Sequence, residues 1–459
     1  MKDRKALLFS FLLVKSILFA MLLPPWLGND EPNHFDYVLN LAGYGEKESN
    51  QEMIINSMTK TKAWERSEMR KPPRMATLFR ETALGKNAED MSGTRPPLYY
   101  YFAALPLKIF HPETVETALL MSRFVSLAIT MVTLWFIFLT ASLIFSEKPD
   151  SFLPYLATIF AGMHPQLSYL TVVVNADALA ILIFTLVFYA LCFYIKRSRI
   201  SYEEIMILMS VCAIGLLTKK HAVLLFPLVV AGIALASSGE SFRQYVFEVL
   251  KKIGFIVIAA FLVVIFCEIF FPKAIIQVAD RLGLAFSFSY MTQDRFELLT
   301  LVKWIRGFGI IFVTFWFTYG QMIHKMSFGF YILLAIFTSG IFYGVARKAW
   351  QSISSGNSGE WHSPDMRIIY LSLAFVSLVF LSIFFTFFSP ELVDRVSGRY
   401  LSYAIAPITI LVIFGINEFT RQANGFNLLK TLAIFFITLN LISIFGYLIP
   451  IYYFSLNAV

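Results

Sequence analysis

Stretches of about 20 apolar residues, the length an α-helix needs to cross the hydrocarbon layer of a bilayer, recur along this chain from Ala6–Leu23 to its last segment. Hydrocarbon offers no partner to a backbone N–H or C=O, so a spanning segment must be a helix or part of a closed barrel. Uninterrupted apolar runs select the helix. The runs lie near 6–23, 119–145, 153–169, 178–195, 204–218, 221–237, 253–271, 328–346, 367–388, 400–417 and 429–453, about eleven spans by the length requirement. Hydrophobic residues make up 58% of the chain and charged residues 15%, too apolar a balance to hide in one soluble core. The expected fold is therefore all-α, a single polytopic transmembrane domain over 1–459 with interfacial helices in its outer loops. The first run follows Lys2, Arg4 and Lys5 and enters Pro24-Pro25-Trp26 with no small-residue cleavage pattern, so it reads as a retained span. Cys192, Cys212 and Cys267 all fall inside apolar runs, which points to packing rather than to disulfides or a thiolate metal site.

The net charge of +8 sits mostly at the ends of these runs, where basic residues set orientation or meet anionic head groups; nucleic acid is not an expected partner. With the N-terminus cytoplasmic, Glu147-Lys148, Lys196 to Arg199, Ser238 to Lys252, Arg347 to Arg367 and Arg421 to Lys430 fall on the inner face, as the positive-inside tendency asks. The outer face then holds a first extracytoplasmic loop at 24–118, a second at 272–327, and short segments near 170–177, 219–221 and 389–399. Pro97 to Phe110 and Phe308 to Tyr319 are expected to lie along the outer interface, where Tyr, Trp and Lys are well placed. Gly45 to Met91 is polar, and loops of such length are commonly functional.

Candidate site residues gather on that outer face. Asp30 and Glu31 precede Pro32 directly after the first span, and His34 follows on a short interfacial helix expected to reach about Leu41. Asp30 or Asn29 could simply cap that helix, but a cap needs one acid and the segment has three, with Asp36. Arg95-Pro96-Pro97-Leu98-Tyr99 places a cation and an aromatic at the next interfacial helix; a lone arginine there also serves as a snorkelling anchor. Lys219-Lys220-His221 interrupts two apolar runs on the face where positive charge is disfavoured, so an anion there would compensate, whether substrate or lipid phosphate. Asn175 and Asp177 open another helix, as caps or as site groups. Arg395, Arg399 and Tyr400 enter the helix near 400, where arginine can grip a phosphate with two parallel hydrogen bonds or pair with Asp394 or Glu391. Lys15 and Glu268 lie within spans, as functional groups or as structural pairs.

Taken in order, the outer Asp-Glu, the loop closing on Arg-Pro-Pro-Leu-Tyr-Tyr, Val-Asn-Ala-Asp-Ala-Leu (174–179), Gly-Leu-Leu-Thr-Lys (215–219) and Gly-Arg-Tyr-Leu (398–401) resemble the GT-C superfamily of membrane glycosyltransferases over most of the chain. Phe315-Trp316-Phe317-Thr318-Tyr319-Gly320 and Gly-Arg-Tyr-Leu are most similar to a bacterial membrane-protein family related to protein mannosyltransferases and lipid A aminoarabinose transferases. The resemblance implies a sugar donor carried on a polyprenyl phosphate, extracytoplasmic catalysis, and a cell-envelope glycan, lipid or protein as acceptor. It matches Asp30 to the catalytic acid, Glu31 to its neighbour, Arg95 to a lysine before Pro-Pro in relatives, and Lys219 to a lysine in a similar turn. Asn175 and the doubled Lys219-Lys220 depart from the pattern.

Such a transfer asks little of a general acid, because the leaving phosphate is already a stable anion. It needs a base for the acceptor proton and cations for the departing charge, whereas a hydrolase more naturally flanks its bond with two carboxylates. Asp30 could be that base or could hold a divalent cation, Mg or Mn, through oxygen ligands. A transporter or flippase of lipid-linked intermediates, or a non-catalytic scaffold, would use the same charges to bind only. Transport favours ionisable groups near the midplane, and here nearly all lie toward one surface.

Overall fold

The computed structural model describes residues 2–45, 47–66, 98–145, 151–237, 242–270, 298–318, 325–354, 363–386, 397–420 and 425–454. Within these residues every regular element is helical. The N-terminal part comprises α1 (Lys2–Leu22), α2 (Glu31–Ala42), α3 (Lys47–Lys60), α4 (Ala63–Arg66), α5 (Leu98–Phe110) and α6 (Val115–Phe145). There follow α7 (Leu153–Gly162), α8 (Pro165–Leu170), α9 (Asp177–Arg197), α10 (Tyr202–Leu216), a 3-10 turn (Lys220–Leu224), α11 (Leu225–Ala236) and α12 (Phe242–Phe270). The C-terminal part has α13 (Leu298–Trp316), α14 (Phe328–Ser354), α15 (Pro364–Thr386), a second 3-10 turn (Gly398–Ala404), α16 (Ile405–Thr420) and α17 (Gly425–Leu441). The last helix runs on into π-helical segments, Ile442–Leu448 and Pro450–Phe454.

Seven helices among the described residues are long and apolar enough to cross a membrane, beginning at Asp3, Val115, Asp177, Phe328, Pro364, Gly398 and Asn427. The chain is a polytopic, all-α integral membrane protein. Of the other expected runs, 253–270 lies within the continuous 29-residue α12, and three are helical but shorter or broken. The run 204–218 is carried by α10, whose 15 residues extend only about 22 Å at 1.5 Å per residue, and 221–237 becomes a 3-10 turn followed by α11. The run 153–169 divides at Met163-His164. Pro165 has no N–H and fits only a first helical turn, so α7 stops and α8 begins, with His164 Nδ1 accepting from the Leu167 N–H at 3.3 Å. The two expected interfacial segments also fold as helices. Residues 98–110 form α5, and 308–316 are the end of the longer α13, Tyr319 lying outside the described residues.

Burial ranks the helices. The hydrophobic windows of 398–419 and α9 are 78% and 72% buried against 33% for α1, and α9 is a central post, packed on α6, α10, α11, α15 and α16. Where α14 crosses α16, Gly344 faces the backbone of Gly415: a Cβ on Gly344 would lie 2.7 Å from the Gly415 carbonyl oxygen, and one on Gly415 2.8 Å from that of Ile341. Without an oil–water difference to drive association inside hydrocarbon, such backbone approach supplies the van der Waals contact that holds helices together.

Candidate active site

The turn between α1 and α2 is built under strain. Trp26 and Asp30 both adopt left-handed backbone, at φ 71° and 56°; the conformation is tolerable for Asp but unusual for a bulky residue. Trp26 is over-determined by its surroundings, its indole N–H donating to Ser57 Oγ at 2.9 Å and its ring tilted on Phe35. Asp30 stands at the N-cap of α2 yet makes no side-chain cap hydrogen bond. Its side chain is 47% exposed and its Oδ2 lies 3.5 Å from Arg399 Nη2. The carboxylate therefore faces a cation in place of its own helix.

Glu31, one residue on, is fully buried. Its carboxylate takes a two-pronged bond from Arg123, Nε to Oε1 at 2.8 Å and Nη2 to Oε2 at 2.6 Å, and accepts from the N–H groups of Val174 and Gly28. Arg123, projecting from α6, spends its remaining hydrogens on the carbonyls of Ala20, Leu23 and Pro24 at the end of α1. A buried pair is stable only when its remaining polar atoms are satisfied, and here four chain segments satisfy them. Glu31 is thus committed to joining α1, α2, α6 and the strip before α9.

That strip, 163–176, is tied at nearly every step. Lys15 of α1 donates to the Gly162 carbonyl at 2.7 Å and to Ser168 Oγ at 2.8 Å, occupying an acceptor freed where α7 ends. Tyr169 donates to the Leu27 carbonyl, Thr130 to that of Thr171, and Ser126 to that of Val173. Since the Ser126 hydrogen is spent there, Tyr99 donates to Ser126 Oγ at 2.6 Å and accepts from the Asn175 N–H at 3.0 Å. Burial pushes the Tyr99 phenol up, so it serves as a neutral bridge. Asn175 Oδ1 accepts from the Asp177 N–H, which makes Asn175 the turn-former that opens α9.

Asp177 receives an ion pair from Lys219 and a hydrogen bond from the Tyr403 hydroxyl. Lys219 lies just beyond α10, its backbone N–H still bonded to the Gly215 carbonyl, and its ammonium rests over the rings of Tyr403 and Tyr400 at 5.7 and 6.0 Å. The Arg399 guanidinium is 5.0 Å from the Tyr400 ring centroid and donates to the Tyr400 hydroxyl at 3.1 Å; its side chain is 18% exposed. His221 stacks on Tyr400 with centroids 5.3 Å apart. Gly398 makes the approach possible: a Cβ there would lie 2.0 Å from the Ile311 carbonyl oxygen and 2.5 Å from the Phe315 nitrogen, so only glycine lets the 3-10 turn that carries Arg399 rest on α13.

Asp30, Asp177, Lys219, Arg399 and Tyr400, drawn from four separated segments, are thus gathered at one end of the bundle. These are the segments that the loop charges assign to a common face. His34 and Tyr99 take part in the packing of α2 and α5 on their neighbours: His34 Nδ1 is 2.6 Å from the Tyr100 hydroxyl, with the two rings stacked. Arg95 and Arg395 lie outside the described residues, as does the side chain of Lys220. Arg123 and Tyr403 complete the arrangement and were not among the residues expected from the sequence. An arginine inside an apolar run was the available signal for the first; Tyr403 gives none beyond its place one helical turn after Arg399. Among the described residues no group of three or more His, Cys, Asp or Glu side chains is gathered to hold a metal ion.

Residues 94–266 match the model of the dolichyl-phosphate-mannose-protein mannosyltransferase family. The match supports a membrane glycosyltransferase of the GT-C type. It spans less than half of the chain, taking in Tyr99, Arg123, Asp177 and Lys219 but neither Asp30 nor Arg399. A search of curated proteins finds no match.

Proposed function

We propose that the protein transfers a sugar from a polyprenyl-phosphate donor to an extracytoplasmic cell-envelope acceptor, with Asp30 as the base and Lys219 and Arg399 as the phosphate site. The observation that carries this reading is the pairing of a half-exposed, non-capping carboxylate with Arg399, which shares the Tyr400 ring with a second cation, Lys219, itself held by Asp177. In the reaction the acceptor hydroxyl gives its proton to Asp30, its oxygen bonds to the anomeric carbon, and the bond from that carbon to the phosphate oxygen breaks with its electron pair on the phosphate. Lys219 and Arg399 stabilise the charge that develops there. A phosphate arriving at Arg399 competes with Asp30 for the guanidinium and frees the carboxylate for the acceptor. Glu31 and Arg123 act on this centre by position, Glu31 being the chain neighbour of Asp30 and a hydrogen-bond partner of the strip that delivers Asp177.

The test is transfer by the purified protein in bilayers supplied with labelled polyprenyl-phosphate sugars and crude envelope acceptors. Labelled acceptor should appear together with free polyprenyl phosphate. Donor that binds and is only moved across the bilayer, with no product, would assign the protein to transport instead.

A further inference from the structure

The Tyr400 ring gathers three nitrogen groups, and only two have been given a role. Arg399 Cζ, the His221 ring centroid and Lys219 Nζ lie 5.0, 5.3 and 6.0 Å from its centroid. His221 also lies 5.6 Å from Tyr403, the residue that anchors Asp177. It is partly exposed and stands on the 3-10 turn directly after Lys219-Lys220, so one short turn presents a fixed cation and a titratable one to the same aromatic wall.

We infer that His221 is a third phosphate-binding group of this site, and that donor binding is coupled to uptake of a proton by its imidazole. The inference rests on the phosphate assignment proposed above. The sign follows from the charges facing the ring. Lys219 on its own stretch and Arg399 on the second 3-10 turn disfavour an imidazolium before the phosphate binds. Asp177 on α9 opposes them but is already engaged by Lys219 and by the Tyr403 hydroxyl. A phosphate seated on Lys219 and Arg399 reverses the balance and favours the charged ring, in the range where imidazole ordinarily titrates. The coupling has chemical use. A sugar phosphodiester carries one negative charge and the released monoester carries up to two, with a second ionisation near about 6. A third cation is therefore worth most at the leaving stage, and losing its proton afterwards eases release.

The experiment is calorimetric titration of the full chain in lipid nanodiscs with a hexosyl isoprenyl phosphodiester, whose phosphate does not titrate near neutrality. Binding is measured at about pH 7, near the ordinary imidazole range, in two buffers of different ionisation enthalpy, so that the buffer difference counts protons. Wild type should take up a measurable fraction of a proton and bind severalfold more tightly at pH 6 than at pH 8. His221→Phe, which keeps the stacking ring, and His221→Gln, which keeps polarity, should both bind without proton uptake and lose the pH slope. Proton-neutral binding by wild type, or uptake that persists in either variant, overturns the inference while leaving the glycosyltransferase reading in place. Failure of wild type to bind the phosphodiester removes the phosphate site itself, and the proposed function and this inference fall together.

Discussion

Asp30 and Glu31 are adjacent acids with opposite surroundings, and replacing each separates site chemistry from architecture. Asp30→Asn keeps the shape and the left-handed tolerance of the residue, so folding and membrane insertion should be unchanged. Transfer should fall by about 10²–10⁴, the usual contribution of a general base; near-normal turnover in that variant would remove Asp30 from the chemistry. Glu31→Gln should do the reverse. It leaves Arg123 buried without its counter-charge, a change that ordinarily costs about 3–5 kcal/mol, and the expected result is protein lost before activity is measured, read as a lower thermal midpoint or yield. If Glu31→Gln is as stable as wild type and merely inactive, Glu31 belongs to the chemistry after all. The phosphate cations are probed by the pair Lys219→Ala and Arg399→Lys. Each should weaken donor binding, the second because a point charge cannot replace a planar fork, and the double variant should lose less than the two single losses combined, since both act on one ligand. Full additivity would place them at separate sites. The residues just discussed show how unevenly sequence reports a site. Asp30, Lys219 and Arg399 are conspicuous because charges next to apolar runs have no packing role, whereas Arg123 looks like a flaw in a span until its partners from α1 and α2 are seen around it.

Helix existence follows from apolar length, and the apolar runs proved helical; helix interruption depends on local chemistry that length does not report. Residues 153–169 look continuous by hydropathy, yet Pro165 ends α7, and the chain then spends 163–176 bonded to α1, α2, α5 and α6 before α9 begins. Those partners are distant in sequence, so neither the strip nor its role in presenting Asp177 could be read from the local residues. The second 3-10 turn is positioned by contact with α13, and Gly398 is the contact. Adding a methyl there forces backbone against backbone, a kind of overpacking that typically costs about 1–3 kcal/mol. Gly398→Ala should therefore reduce donor affinity without touching any charge, because Arg399 moves with its turn. The comparison to make is donor binding against thermal midpoint. A variant that loses stability and keeps full donor affinity would show that the α13 contact does not set the position of Arg399.

At the scale of the whole molecule, the seven long apolar helices establish a membrane protein, and the gathering of Asp30, Asp177, Lys219 and Arg399 establishes which end carries the cluster, but orientation across the bilayer comes from the loop charges alone. The positive-inside tendency puts the cluster outside and places the cytoplasmic face at the ends marked by Arg197, Lys196 with Asp365, and Arg347 with Glu418. Lys60, at the end of α3, and Gln351, near the end of α14, are both exposed and fall on opposite sides of that assignment. In a background with Cys192, Cys212 and Cys267 replaced, Lys60→Cys should react with a membrane-impermeant maleimide on intact cells, and Gln351→Cys should react only after the membrane is opened. The reverse pattern would put Asp30 and the cations on the cytoplasmic side. The donor would then have to be reached from within, and an extracytoplasmic acceptor could not be served by this site.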